Sequence, residues 1–206
     1  MGHTAEAATD SSTDDPLLDR FRVLPAANIG DAMDRMGLLH SSIQSIWPGG
    51  TLVGTAFTVW TRAGDNKVIH EALALARPGD VLVINGQGDE SRALIGELIG
   101  ARAKVNGIVG FVLDGVARDA DMLMGMEMPV FARGVTPAGP FKHGPGFLGQ
   151  TIAVGGVAVA AGDYIIGDAD GVAVVPRAVA DQVATAAEAV FARETERRAA
   201  ILAELA

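Results

Sequence analysis

Two short, uninterrupted apolar runs constrain the fold of this sequence more than any other feature. The runs at 81–84 (VLVI) and 108–113 (IVGFVL) contain no polar side chain, which is typical of strands buried on both faces of a parallel sheet. Segments with the apolar spacing of helices, at 66–76 and 93–105, alternate with them. This alternation predicts βαβ units, and therefore an α/β fold with a mainly parallel central sheet.

The flanking segments before residue 134 carry β-branched runs, turn residues and helix-capping residues that extend this pattern. The predicted elements are strands at 51–61 and 129–132, a Gly-rich loop at 85–90, a helix at 16–23, a helix with Asn28 as N-cap and Gly37 as stop, and a short helix after residue 118.

The pattern changes after residue 134. A Gly- and Pro-rich loop is predicted at 135–149, followed by short strands over 151–175 in the style of an antiparallel meander. Residues 177–205 predict one long amphipathic helix. Its apolar stripe requires a partner surface, which is either the core or another subunit.

Charge and composition divide the chain of 206 residues into a tail and one domain. The net charge is −9, and five acidic residues but no basic one occur in the first nineteen positions. Residues 1–15 show no apolar periodicity, so we expect a flexible acidic tail there and a single domain over 16–206. The remainder has no basic stripe, which argues against nucleic-acid binding.

Two features that the sequence lacks limit the possible site chemistry and the expected location further. The sequence has no cysteine, which excludes disulfides, thiolate metal sites and cysteine nucleophiles. It has no run of 18 apolar residues and begins with an acidic, polar segment, so we expect neither a membrane span nor a secretory signal, and a cytoplasmic location.

The stretch GELIGARAKVNGIVGFVLDGVARD, residues 96–119, carries the candidate chemistry. Gly96 and Glu97 fall in the first turn of a predicted helix, together with the backbone N–H groups of Leu98 and Ile99. Because the first amides of a helix lack intrahelical partners and lie at its positive dipole end, this turn attracts a carboxylate or phosphate.

Arg118 and Asp119 follow the carboxyl end of the next predicted strand, the edge at which ligands bind in open α/β sheets. Asp119 offers hard oxygen atoms suited to Mg²⁺ or Mn²⁺. Arg118 offers a planar set of donors to an oxyanion. The simpler interpretation of the same dipeptide is a surface ion pair.

Other polar residues are candidates with simpler alternatives. Asp65 either caps the following helix or lies near the site, and the residues alone do not separate the two. Asp168 and Asp170 alternate like metal ligands, yet Asp170-Gly171 reads first as a hairpin turn. For the remaining candidates a structural, rim or solvent-exposed role is expected, and these are His70, Lys142, His143, Glu194, Glu196 and the Gly-rich segment 86–88.

Several segments in order resemble the RraA-like family, which includes 4-hydroxy-4-methyl-2-oxoglutarate aldolases and the regulator of ribonuclease activity A. The resemblance runs from about residue 28 to 176. The matching segments are NIGDAMDRMG, GDN at 64–66 followed by IHEALA, PGDVLVI, GELIGARAK, GIVGFVLDGVARD, PVFARGVTP and GDYIIGDADGVAVVP.

The resemblance implies a compact α/β/α sandwich assembled as a homotrimer or homohexamer, with sites at subunit boundaries. It also implies a divalent-metal-dependent lyase for short 2-oxo acids, acting by retro-aldol cleavage, by oxaloacetate decarboxylation, or by both. Both reactions pass through a pyruvate enolate. A non-catalytic regulator that binds a ribonuclease or another protein is the alternative.

By motif, the resemblance places the pyruvoyl carboxylate on Gly96, Glu97, Leu98 and Ile99, the substrate on Arg118 and the metal on Asp119. Glu97 stands where characterised aldolases have an aspartate, and it is our candidate for the base that the aldol cleavage needs. Met122 stands where many members have an acidic residue, and Asp121 precedes it. Methyl transfer to a quinone has no support, because no glycine motif is placed to hold a nucleoside cofactor.

Overall fold

The computed structural model describes residues 15–205, which form six α-helices and eleven strands. The helices are α1 (Pro16–Arg22), α2 (Ala26–Ala32), α3 (Lys67–Leu75), α4 (Glu97–Val105), α5 (Ala120–Gly125) and α6 (Ala180–Ala203). The strands are β1 (Gln44–Ser45), β2 (Leu52–Thr61), β3 (Asp80–Ile95), β4 (Gly110–Ala117), β5 (Val130–Ala132), β6 (Gly134–Val135), β7 (Gly146–Leu148), β8 (Ile152–Val154), β9 (Val157–Val159), β10 (Tyr164–Asp168) and β11 (Gly171–Val175).

Nine of these strands form one sheet in the order β1-β5-β4-β3-β2-β10-β11, with β6 beside β4 and β7 beside β2. The pairs β2–β3, β3–β4, β4–β5 and β4–β6 are parallel. The pairs β1–β5, β2–β7, β2–β10 and β10–β11 are antiparallel. The predicted α/β class, with a mainly parallel central sheet, a smaller antiparallel part and a long C-terminal helix, is confirmed.

Apolar side chains from both faces of the sheet form the core. On one face α3 and α4 pack on the parallel strands, with Ile69 and Ile99 against Leu82 and Leu113. On the other face the β8–β9 hairpin and the segment around Ile43 cover the same strands. The two apolar runs that predicted doubly buried strands are therefore covered from both sides.

A third cluster joins α1, α2 and α6 to the β10–β11 hairpin. Phe21 and Tyr164 contact each other there, with ring centroids 5.4 Å apart. The first half of α6 buries Val183, Ala184 and Ala187 in this cluster, whereas residues 192–205 are exposed throughout. The predicted apolar stripe thus has the core as its partner over the first half of α6.

The largest departure from the predicted elements concerns β3. The segment 85–90, predicted as a loop, is part of this strand, and its register against β4 shifts between Asn85 and Asp89 and again before Ile95. The strand keeps its pairing by bulging, which accommodates glycines that pattern reasoning assigns to a loop. As a consequence, α4 begins at Glu97 and not at residue 93, and Gly96 is its N-cap.

The start of α2 also differs, because the helix begins at Ala26 and Asn28 is not its N-cap. Asn28 is buried inside the helix and donates from Nδ2 to Glu194 at 2.7 Å. The carboxylate of Asp168 accepts the N–H of Ala26 at 2.8 Å. A capping residue distant in sequence has therefore replaced the local one.

The ends of the described chain bear on two predictions. Of the predicted tail, residues 1–14 lie outside the described residues, and Asp15 is the N-cap of α1, accepting the N–H of Leu17 at 3.0 Å. Tyr164 donates to the other oxygen of Asp15, and burial together with this bond raises the pKa of Tyr164 to about 12. Among residues 15–205 no helix has the length and apolar character needed to cross a bilayer.

Candidate active site

The candidate site lies where β3 and β4 end side by side. Ile95 pairs with Ala117, so the turn into α4 and the turn into α5 start at neighbouring points of one sheet edge. Gly96 and Glu97 leave the first strand, and Arg118 and Asp119 leave the second. Parallel adjacent strands bring these residues together.

Asp119 turns back from its own helix toward α4. Its backbone is left-handed, with φ 57° and ψ 39°, a conformation that aspartate tolerates better than most residues. Its side chain makes no capping bond to α5. Instead, Oδ2 accepts the N–H of Glu97 at 3.0 Å and lies 3.3 Å from Nε of Arg118.

Gly96 makes room for this arrangement. A Cβ at position 96 would lie 2.5 Å from Oδ2 of Asp119 and 2.8 Å from Cγ of Arg118. Both distances are shorter than van der Waals contact, so only glycine lets the two charged side chains lie over the start of α4.

The first turn of α4 presents backbone donors to this place. The first intrahelical bond of the turn runs from the N–H of Gly100 to the carbonyl of Gly96, at 3.0 Å. The N–H of Glu97 donates to Asp119, and the N–H groups of Leu98 and Ile99 come before Gly100, the first intrahelical donor. Two amides at the positive end of the helix thus remain for an anion.

Arg118 and Asp119 border an open cleft of about 300 Å³. Both side chains are partly exposed, and the N–H of Arg118 is fixed to the carbonyl of Ile95 at 3.1 Å. The cleft is lined by Arg118, Asp119, Ala120, Val135, Thr136 and Pro137. Its size suits a small organic acid.

Glu97 is half-buried at the same helix end. Its carboxylate makes no hydrogen bond or ion pair with any residue from 15 to 205. The structure therefore brings all six predicted site residues to one place and leaves the Glu97 side chain free to act on a ligand.

The donor set for a metal is small. Within the described part of the chain, no group of three or more His, Asp or Glu side chains is arranged to hold a cation. Asp119 keeps one oxygen, Oδ1, without a hydrogen-bond partner among residues 15–205. One carboxylate fits Mg²⁺ or Mn²⁺, which complete their coordination with water and ligand oxygens, and it does not fit a metal that needs an all-protein cage.

Comparison with known proteins assigns the chain to a family. The family model RraA-like, described as Aldolase/RraA, matches residues 26–174. The chain belongs to the RraA-like family.

Two individual proteins are similar to this chain over most of its length. A protein of Halalkalibacterium halodurans, provisionally named 4-hydroxy-4-methyl-2-oxoglutarate aldolase, is 39% identical over 185 residues, covering 90% of this chain and 88% of the relative. The crystal structure of an uncharacterized protein from Pseudomonas syringae pv. tomato superposes with a TM-score of 0.78 at 31% identity, covering 88% of each chain.

A third comparison covers a smaller share of this RraA-like chain. The structure of the RNA-processing inhibitor RraA from Thermus thermophilis superposes with a TM-score of 0.68 at 26% identity. It matches 92% of that chain but 74% of this one. Helices α1 and α6 lie outside residues 26–174, the part that the family model matches.

Asp65, for which the sequence left two roles open, is fully buried and connects two segments. It caps α3 by accepting the N–H of Lys67 at 2.9 Å, as one alternative held, and it also accepts the N–H groups of His143 at 2.7 Å and Gly144 at 2.9 Å. Burial alone would raise the pKa of Asp65, but these three donors lower it. Asp65 therefore fixes the loop at 136–145, called here the site loop.

The other sequence candidates lie apart from the Arg118–Asp119 pair or in solvent. Asp168 and Gly171 pair at the tip of the β10–β11 hairpin, in agreement with the hairpin turn predicted at Asp170-Gly171. Exposed side chains, as expected for a rim or solvated role, are found at His70, Lys142, His143 and Glu196. Glu194 is held by Asn28.

The sequence did not predict a partly buried ion pair between Asp114 of β4 and Arg133. Nε of Arg133 donates to Oδ1 of Asp114 at 2.6 Å, and Arg133 also reaches Ser42 at 3.0 Å. The other oxygen of Asp114 accepts the N–H of Gly155 at 2.9 Å. The sequence does contain a hint of this pair, because Asp114 is a charged residue inside the apolar strand FVLDGVA and a buried charge requires a partner. The sequence alone does not identify that partner.

Proposed function

We propose that this chain is a lyase for short 2-oxo acids that depends on a divalent metal. Its reactions are retro-aldol cleavage of substrates of the 4-hydroxy-4-methyl-2-oxoglutarate type, oxaloacetate decarboxylation, or both. The observation that carries the proposal is the convergence of Arg118, Asp119 and the start of α4, in which Oδ2 of Asp119 lies 3.0 Å from the Glu97 N–H and 3.3 Å from Nε of Arg118. The aldolase name of the relative from Halalkalibacterium halodurans supports it.

Different groups of the site bind the substrate carboxylate and the metal. The N–H groups of Leu98 and Ile99 hold the carboxylate of the pyruvoyl end. Asp119 is the residue that would hold Mg²⁺ or Mn²⁺, which when bound supplies Lewis-acid polarisation of the 2-oxo group. Gly96 keeps the space between these groups open.

Arg118 stabilises the charge that develops in either reaction. Breaking the bond beyond C3 leaves an electron pair that moves onto the 2-oxo oxygen and gives a pyruvate enolate. The guanidinium is a permanent positive charge that is already in place, so it needs no reorganisation when the negative charge forms. Protonation of the enolate carbon then completes the reaction.

Glu97 distinguishes the two reactions. Aldol cleavage requires that the C4 hydroxyl lose a proton, and the unpartnered carboxylate of Glu97 is the base that we assign to this step. Decarboxylation releases CO₂ and needs no such base. The substitution Glu97→Gln should therefore lower the retro-aldol rate by about 100-fold or more and leave oxaloacetate decarboxylation within about threefold.

A coupled assay tests the proposed activity. Pyruvate released from oxaloacetate or from 4-hydroxy-4-methyl-2-oxoglutarate is measured with lactate dehydrogenase, with Mg²⁺ and with EDTA. We expect turnover that EDTA abolishes and that Asp119→Ala lowers by at least about 100-fold. If neither EDTA nor Asp119→Ala reduces pyruvate formation, the metal-dependent mechanism is wrong.

The second candidate, a regulator that binds a ribonuclease or another protein, follows from the likeness to the RNA-processing inhibitor RraA. A folded wild-type chain that forms no pyruvate with any 2-oxo acid tested would favour it. We also propose that the chain assembles as a homotrimer or homohexamer and that it is located in the cytoplasm.

A further inference from the structure

A second arginine, Arg92 of β3, flanks the site loop beside Arg118. Nη1 of Arg92 donates to the carbonyl oxygen of Gly139 at 2.8 Å. Nη1 of Arg118 lies 3.3 Å from the point where a Cβ on Gly139 would be. Standard bond lengths then place the two Nη1 atoms within about 10 Å of each other. Arg92 does not line the cleft at Arg118, so a ligand that contacts both arginines extends from that cleft past Gly139.

Phe141 holds the Arg92 guanidinium in place. The guanidinium carbon lies 4.1 Å from the centroid of the Phe141 ring, a close cation–π contact. The ring is itself positioned by backbone bonds, because the N–H of Phe141 donates to Gly64 at 2.8 Å and its carbonyl accepts from Asn66 at 3.0 Å. A side chain held in this way loses little entropy when it binds a ligand.

The charge of Arg92 is not neutralised by the protein. Among residues 15–205 the Arg92 side chain forms no ion pair, and its one hydrogen bond goes to the Gly139 carbonyl. Its Nε and Nη2 atoms therefore remain available to a ligand. Arg62 adds a second cation at 5.9 Å from the Phe141 ring, and Lys142 is exposed on the same loop. Asp89 is the acidic neighbour, because its Oδ2 and Cδ of Arg92 lie 3.1 and 3.2 Å from the point where a Cβ on Gly64 would be. It forms no ion pair with Arg92 among residues 15–205, so the Arg92 charge remains available to an anionic ligand.

We propose that Arg92 binds the distal carboxylate of the substrate and makes the site select 2-oxo acids that carry a second carboxylate. This inference rests on the proposed function, because it takes the pyruvoyl end to lie at Arg118 and the start of α4. In a four- or five-carbon 2-oxo diacid whose 2-oxo oxygen faces Arg118, the distal carboxylate extends toward Arg92 and accepts charge-assisted hydrogen bonds there. Arg92 is thereby a specificity residue.

A matched pair of ligands isolates the distal carboxylate. 2-Oxoglutarate and 2-oxopentanoate have five carbons each and differ only in a carboxylate against a methyl group at the far end. Calorimetry in the presence of Mg²⁺ measures their dissociation constants for the wild type, Arg92→Met, Arg92→Lys and the control Arg62→Met, which removes the same charge from the same cluster without touching the Gly139 contact.

We expect the wild type to bind 2-oxoglutarate about 10- to 100-fold more tightly than 2-oxopentanoate, since a charge-assisted pair is lost with the methyl compound. Arg92→Met should abolish that preference through weaker 2-oxoglutarate binding alone. Arg92→Lys should keep part of it, and Arg62→Met should change it less than about threefold. Equal wild-type binding of the two acids, no binding of either, or a preference that survives in Arg92→Met would overturn the inference.

The same variants separate this inference from the proposed function. If wild-type protein forms pyruvate from oxaloacetate with Mg²⁺ and Arg92→Met raises KM about 10-fold or more with little change in kcat, both stand. If pyruvate forms but KM is unchanged in Arg92→Met, Arg92 has no such role and the lyase stands. If no pyruvate forms, the lyase fails, and the calorimetry still decides whether Arg92 recognises a second carboxylate.

Discussion

At position 96 the absence of a side chain determines where two charges lie. Arg118 and Asp119 occupy the space that a Cβ would take, at 2.5 Å from Oδ2 and 2.8 Å from Cγ. Gly96→Ala should displace both side chains and lower kcat/KM for pyruvate formation by about 100-fold, since displacements of this size misalign reacting groups.

The control for that variant is Gly125→Ala. Gly125 ends α5, and a Cβ there would meet nothing within 4 Å. Its substitution should leave kcat/KM within about twofold. Steady-state kinetics gives kcat/KM for both variants, and circular dichroism confirms that both are folded. Equal loss in the two variants would show that general destabilisation, not the space at Gly96, explains the result.

Asp65 makes a pH-dependent contribution to stability. Because its folded pKa lies below its unfolded value of about 3.9, the carboxylate stabilises the fold above that value, and this contribution is lost as the pH falls through the folded pKa. Asp65→Asn should lower the free energy of unfolding by about 1–3 kcal/mol at pH 7, where the donors of His143 and Gly144 lose an ionised acceptor.

Urea unfolding at pH 7 and at about pH 3 measures this contribution. The difference between wild type and Asp65→Asn should shrink at the lower pH, because the wild-type carboxyl takes up its proton there. Asp170→Asn, at an exposed hairpin tip, should change the free energy by less than about 0.5 kcal/mol. A difference that grows toward low pH would contradict the assignment.

The residues at the two strand ends were accessible to sequence reasoning, and the partners of Arg92 were not. Four residues, 114–117, separate the apolar run at 108–113 from Arg118 and Asp119, which lie just past the end of the strand that this run predicts, so their place at the ligand-binding edge follows from local pattern. Arg92 meets Gly139 and Phe141, which lie almost fifty positions away on a loop without periodicity. Asp114 and Arg133 pair across strands for the same reason. Contacts of this kind require the register, which the pattern does not supply.

At the scale of elements, α1 and α6 are joined by one arginine. Arg20 donates to Glu188 at 2.6 and 2.9 Å, to Asp181 at 2.7 Å and to Thr185 at 2.9 Å. The bond from Arg20 is the main cause that lowers the pKa of Glu188. Because the pairs are partly exposed, we expect Arg20→Ala to cost only about 1–2 kcal/mol of unfolding free energy, and less at 1 M salt.

Thermal unfolding at low and high salt checks the α1–α6 connection. Arg22→Ala removes an exposed pair with Asp19 inside α1 and should cost under about 0.5 kcal/mol. Neither variant lies near the Arg118–Asp119 pair, so pyruvate formation should be unchanged. An Arg20→Ala variant as stable as the wild type would mean that apolar packing alone joins the two helices.

Elements with a strong apolar periodicity were predicted well, whereas element bounds that depend on long-range partners were not. The helix at 16–23 and the long C-terminal helix appear close to the predicted bounds as α1 and α6. The start of α4 shifted because β3 bulges past its glycines to stay paired with β4, and the start of α2 shifted because Asp168 caps it from the β10–β11 hairpin. In both cases a long-range partner outweighed the local signal.

At the scale of the whole molecule, exposed apolar side chains predict that copies of the chain associate. Leu98, Met122 and Val135 are more than half exposed around the site, and Ile201, Leu202 and Leu205 are exposed on the free end of α6. Exposed apolar surface of this kind marks association sites. Light scattering after size exclusion should give the mass of three or six chains at micromolar concentration. The mass of one chain would contradict the assembly that the family resemblance implies.

The central claim is that Asp119, Arg118 and the start of α4 hold a metal and a 2-oxo acid together. A crystal structure of the chain with Mn²⁺ and pyruvate, with anomalous data that locate the metal, tests it most directly. We predict an anomalous peak within coordination distance of the Asp119 carboxylate, the pyruvate carboxylate on the N–H groups of Leu98 and Ile99, and the 2-oxo oxygen facing Arg118. Mn²⁺ bound elsewhere, or pyruvate bound away from α4, would contradict the claim.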